Sequence, residues 1–79
     1  MKEKKEYLLI VGANIELVEF YIEAKKMGLN IIGIDKNPKS VAFKYADKKI
    51  ISSTRNTDEA VKKVVAFSKK YKIIGVATS

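Results

Sequence analysis

Four apolar runs, each closed by a turn residue or a charge, set the plan of this chain. The first, Tyr7 to Val11, is apolar without alternation; Gly12 breaks it and Asn14 follows. An unbroken run of that kind fits a strand buried on both faces, as in the middle of a parallel sheet. Past Asn14, a good N-cap residue, the period turns helical. Glu16, Glu19, Glu23 and Lys26 recur at helical spacing and share one stripe. The remaining positions (Ile15, Leu17, Val18, Phe20, Tyr21, Ile22, Ala24 and Met27) are apolar and sweep more than half of the circumference. A helix resting only on a sheet needs a narrower stripe, so this one calls for a neighbouring helix or a partner surface. Gly28 suits a left-handed C-cap.

Asn30 to Asp35 is a second buried-type strand, ended by the turn Lys36-Asn37-Pro38. Ser40 to Ala46 fits either a short helix or a loop with one turn. Lys49 to Ser52 is a short third strand flanked by lysines, as edge strands often are. Asn56 with Glu59 three residues on resembles a capping box, opening a helix to about Lys70 with Ala60, Val61, Val64, Val65, Phe67, Ser68 and Tyr71 on its inner stripe. Ile73 to Ala77 is a fourth buried-type strand. The series predicts an α/β, Rossmann-like three-layer fold with a four-stranded parallel sheet in the order 3-2-1-4, one half of a doubly wound domain. Residues 1–79 form a single domain, and a strand that closes on Thr78-Ser79 reads as a truncated piece of a longer chain.

Composition narrows the function more than the fold. A chain of 79 residues buries only about 60% of its unfolded surface, so a covering partner would add much. There is no cysteine and no histidine, which removes disulfides, thiolate metal sites and the commonest general base. No run approaches the roughly 18 apolar residues of a membrane span, and no signal peptide is seen, so a cytoplasmic protein without membrane contact is expected. The net charge of +7 raises the question of nucleic acid. Fifteen of the sixteen basic residues are lysines, spread in pairs, and Arg55 stands alone, so solvated faces and no nucleic-acid partner are expected.

In open parallel sheets, ligands sit beyond the carboxyl ends of the strands, which points to Gly12, Ala13 and Asn14. Asp35 ends the second strand about where a dinucleotide fold places the acid that holds a ribose; closing its own turn is the alternative. The glycine fingerprint is poor, because Asn14 and Leu17 stand where the second and third glycines belong. A P-loop is absent from the sequence. The hydroxyls of Ser52, Ser53, Thr54, Thr78 and Ser79 have no nucleophile elbow and no base beside them. No catalytic residue and no metal ligand is assigned.

The stretch Gly33-Ile34-Asp35-Lys36-Asn37-Pro38, followed by Phe43-Lys44-Tyr45-Ala46-Asp47 ahead of the third strand, resembles the preATP-grasp domain that precedes the ATP-binding domain of ATP-grasp ligases. Carbamoyl-phosphate synthetase and biotin carboxylase are familiar examples. Asn56 to Ala60 stands in the place of a common Asp-Pro-Glu-Ala helix start, and Ile74-Gly75-Val76 in that of the fourth strand's end. Gly12-Ala13-Asn14 matches the glycine-rich turn in its first two positions. The resemblance implies the substrate-side N-terminal domain of a carbamoyl-phosphate synthetase-like carboxylate–amine ligase, inactive alone. ATP and Mg²⁺ would belong to the ATP-grasp domain, the expected partner, and Gly12, Ala13, Asn14 and Asp35 would face a small-molecule acceptor substrate. Ala46 would pack, and Asp47 would cap or pair with a lysine. The alternatives are a free-standing nucleotide- or metabolite-binding module and a homodimer through the helix from Asn14 to Met27.

Overall fold

A computed structural model describes residues 5–78. Strand β1 (Glu6–Val11) lies at the centre, parallel to β2 (Asn30–Asp35) on one side and to β4 (Lys72–Thr78) on the other; β3 (Lys48–Ile51) flanks β2. The order is β3-β2-β1-β4, as the run of elements predicts. Alternate residues of the same strands feed two cores, because side chains change face at every step. Ile10 and Ile31 join Leu17, Tyr21, Ala24 and Phe43 on one face. Tyr7, Leu9, Ile32, Ile34 and Ile50 form the other.

The helix after β1 opens as a 3-10 turn (Ile15–Leu17) before continuing as α1 (Val18–Lys26). Asn14 caps it, its Oδ1 accepting from the Glu16 amide at 3.0 Å. Gly28 (φ +82°) ends it in the left-handed region, as expected. Part of the apolar surplus on this helix has a local cause. A second 3-10 turn (Val41–Tyr45), following β2, lies against α1 and buries Ala42 and Phe43. Ser40 to Ala46 is therefore that neighbour. Ile15, Phe20 and Met27 remain exposed.

The opposite face is covered more thinly. Helix α2 (Thr57–Ser68) has no fully buried residue, and Val61 and Val65 are about half exposed. Strand β4 is also less enclosed than its unbroken apolar run suggests. It is an edge strand of alternating exposure, with Val76 61% exposed. The run marks what such a strand is suited to touch, and no described element lies on its outer side. Its register slips at the foot: Tyr7 pairs with Ile73 but Leu8 with Gly75, so Ile74 is an extra residue in a bulge.

The start of α2 is half a capping box. Asn56 Oδ1 accepts from the Glu59 amide at 3.1 Å, but Glu59 does not return to the Asn56 amide. Its Oε2 accepts instead from the Ser53 amide at 2.8 Å and the Ser52 hydroxyl at 2.9 Å, pinning the strand end to the helix start. Asn56→Ala should lower stability by about 1 kcal/mol, read as a fall in the urea midpoint.

Candidate functional site

The turn after β1 is bonded on every side. Gly12 takes φ +99°, and a Cβ there would also come within 2.8 Å of Leu17 Cδ1. Leu17 thus fills the space beneath the turn where a dinucleotide fingerprint has glycine. The Gly12 amide donates to the Ile34 carbonyl at 2.7 Å, and its carbonyl accepts from the Tyr21 hydroxyl at 2.7 Å. The Ala13 amide donates to Asp35 Oδ2 at 2.8 Å, and its carbonyl accepts from the Ala42 amide at 2.9 Å. Burial, helped by the nearby Asp35 charge, pushes the Tyr21 phenol well above its ordinary range, so it stays a neutral donor.

Asp35 closes its turn. Oδ1 accepts from the Asn37 amide at 3.0 Å while Oδ2 holds Ala13. Partial burial works to raise its carboxyl, but the amides of Asn37, Ala13 and Lys36 and the Ser40 hydroxyl outweigh it and hold the group below the usual carboxylate value. Asp47 follows the same logic away from the cleft. Burial opposes ionisation there, but Lys25 at 2.7 Å and the Ile31 amide at 2.7 Å keep its carboxyl low. Asp47 pairs with a lysine and Ala46 packs against the α1-side core, as expected.

Beyond the strand ends lies a cleft of about 510 Å³, lined by residues that end or follow all four strands: Val11, Asp35, Ser53 and Thr78, with Lys36 and Arg55. It sits where the chain's crossovers diverge from β1, the position at which open parallel sheets accept ligands. A larger and more open hollow of about 800 Å³ lies at the other end of the sheet, between Gly28 and Lys72. The Lys72–Glu6 ion pair (3.2 Å) sits beside it, and no strand's carboxyl end reaches it. Position relative to the sheet, not size, marks the smaller cleft as the site.

Of the residues singled out from sequence, Gly12, Asn14 and Asp35 line the cleft. Ala13 is fully buried and outside the lining, its amide and carbonyl held by Asp35 and Ala42. Ser53, Thr54 and Thr78 also reach the lining, whereas Ser52 is buried against Glu59; Ser79 lies outside the described residues. Sequence reading passed over Tyr21, Gly33, Lys36, Asn37 and Arg55. Gly33, inside a strand pattern, carried a readable signal: an isolated strand glycine marks a close approach. A Cβ at Gly33 would lie 2.5 Å from the Tyr21 hydroxyl oxygen.

Fold and cleft together define an open parallel α/β domain with a crevice at its switch point. Solved structures include chains of the same kind, 14 of which match. One is phosphoribosylglycinamide synthetase from Anaerococcus prevotii, with a TM-score of 0.78 and 28% identity over 94% of this chain. This chain spans 18% of that one. That synthetase is an ATP-grasp enzyme, so the likeness supports an ATP-grasp-related domain here. No family model matches the chain, and no curated protein does. No helix among the described residues is long and apolar enough to cross a membrane.

Proposed function

We propose that this chain is the N-terminal, substrate-side domain of a cytoplasmic ATP-grasp carboxylate–amine ligase, of the type that carbamoyl-phosphate synthetase exemplifies, and is inactive by itself. The likeness to the synthetase over nearly the whole of this chain, but under a fifth of that one, carries the reading. The cleft supports it: a turn with its backbone fixed, beside an aspartate locked into that turn, offers a wall for an acceptor substrate. Gly12, Ala13, Asn14 and Asp35 would form that wall.

In this reading ATP and Mg²⁺ belong to a following domain. Among the described residues no three or more carboxylate, histidine or cysteine side chains stand together to hold a metal ion. In this reading the handedness of the crossovers suggests which face such a continuation would cover. The crossover from β3 to β4 places α2 on one face. A further right-handed crossover in the same direction lays its helix on that same face, over Val61, Val65 and Val76. All three are exposed, Val61 and Val76 by more than half.

The test has two parts. The reading frame beyond Ser79 should continue for at least about 150 residues, one further domain's length, with a glycine-rich lid and paired carboxylates for Mg²⁺. The 79-residue chain alone should show no saturable calorimetric binding of ATP below the millimolar range. A stop codon after Ser79, or tight ATP binding by this chain, would overturn the proposal.

A further inference from the structure

We infer that the cleft at the strand ends is an anion subsite, built to receive a phosphate or carboxylate group of the ligand through Lys36 and Arg55. This rests on the reading of the cleft as a substrate site and names the class of group it takes.

The basis is which polar atoms around the cleft are already engaged. The side-chain oxygens of Asp35, Asn14, Asn37 and Ser53 are already held by backbone amides. Asp35 uses both carboxylate oxygens on backbone amides. Asn14 Oδ1 accepts from Glu16, and Asn37 Oδ1 accepts from the Lys39 amide at 2.9 Å. Ser53 Oγ accepts from two amides, those of Arg55 and Asn56, each at 3.2 Å. What these side chains keep is their donors: the amide NH₂ groups of Asn14 and Asn37 and the hydroxyl proton of Ser53. An amide whose oxygen is fixed on a backbone N–H has its NH₂ turned the other way, and a hydroxyl that accepts twice is left only to donate.

The charges agree. Asp35 is the single carboxylate of the lining, and its charge is already met by amides and the Ser40 hydroxyl. Lys36 and Arg55 line the same cleft. Neither has a carboxylate partner among the ion pairs of the described residues, whereas Lys25, Lys26, Lys63 and Lys72 do. Donors and two cations without carboxylate partners in one cleft, with these four side chains' acceptors engaged, favour a ligand rich in acceptor oxygens and negative charge. Arg55 is the only guanidinium in the chain, and its planar fork suits two oxygens of one oxyanion.

The experiment is an amide chemical-shift titration of the 79-residue chain at constant ionic strength, with methyl phosphate, acetate and neutral glycerol in separate arms. Saturable shifts from at least one anion, confined to residues 12–14, 36–37 and 53–56 and absent with glycerol, are expected. The anion that saturates at the lower concentration identifies the source as phosphate or carboxylate. Arg55→Gln should weaken that binding about tenfold, as loss of one charge-assisted contact does, and Lys36→Gln should weaken it in the same direction. Lys62→Gln, which removes an exposed charge on α2, should leave it unchanged. Shifts scattered over the lysine-rich faces, equal losses in Lys62→Gln and Arg55→Gln, or shifts at the cleft from glycerol alone would overturn the subsite. The outcome is separable from the ligase reading. Anion binding beside a reading frame that stops at Ser79 keeps the subsite and sinks the ligase; no anion binding in a chain whose frame continues does the reverse.

Discussion

Gly33→Ala should remove about 3 kcal/mol of stability, the upper end of what one added methyl does to a packed interior. The new Cβ would lie 2.5 Å from the Tyr21 hydroxyl oxygen and 3.2 Å from Phe43 Cε1. Neither neighbour can step aside easily. Tyr21 is fully buried between the sheet and α1, and its hydroxyl holds the Gly12 carbonyl. If the ring moves, that carbonyl loses its partner, adding a desolvation penalty to the strain. A domain of this size has a total stability of roughly 4–12 kcal/mol, so the loss is a large share of it. Urea unfolding followed by circular dichroism would measure it. A midpoint within error of the parent would mean that the ring and α1 relax freely, contrary to the packing described here. Tyr21→Phe combined with Gly33→Ala should recover part of the loss, because it removes the oxygen that the methyl meets.

Asp35→Asn should cost about 2–3 kcal/mol and flatten the acid limb of the stability curve. The two carboxylate oxygens accept from Ala13 and Asn37 amides. An asparagine would present an NH₂ to one of those N–H groups, leaving two donors facing each other and a charge-assisted bond lost. The pH dependence follows from the direction of the shift. The Asp35 pKa in the fold lies below its reference value of 3.8, so its contribution is fully present above that value and is lost as pH falls through the lower, folded pKa. Asp47 is lowered in the same sense and Glu59 as well, the latter mainly by the Ser53 amide and the Ser52 hydroxyl. The parent should therefore lose stability steadily below about pH 4, and Asp35→Asn should lose less over that interval from a lower starting point. An acid limb identical to the parent's would mean that Asp35 titrates alike in the folded and unfolded chain.

The strands were readable because burial on two faces leaves unbroken apolar runs, and their order followed from the handedness of two helical crossovers. The caps at Asn14 and Asn56 were readable for a local reason: each side chain bonds an amide two or three residues on. What escaped depended on contacts between distant parts of the chain. Glu59 turning to Ser52 and Ser53, Tyr21 reaching Gly12, and the 3-10 turn that covers α1 all join segments whose meeting no local period records. The exposure of β4 escaped for another reason: an apolar run states a preference, and no described element meets it on the strand's outer side. For the cleft, position at the carboxyl ends of the first two strands pointed to Gly12, Ala13, Asn14 and Asp35, of which all but Ala13 line it. Arg55 was set aside as a solitary surface charge, because its place in one cleft with Lys36 exists only once β2 and β3 are side by side.

The bonding around Gly12 and Ala13 also bears on how a ligand's entropy is divided. Both peptide units are held by the Ile34 carbonyl, the Tyr21 hydroxyl, the Asp35 carboxylate and the Ala42 amide before anything enters. The floor of the cleft is therefore preorganised, and docking against it orders no backbone. The ordering falls on the long side chains at the rim, at roughly 0.5–1.5 kcal/mol for each one immobilised. If the cleft is the proposed anion subsite, recognition there would be split between a rigid base that fixes shape and long cationic side chains that order on binding.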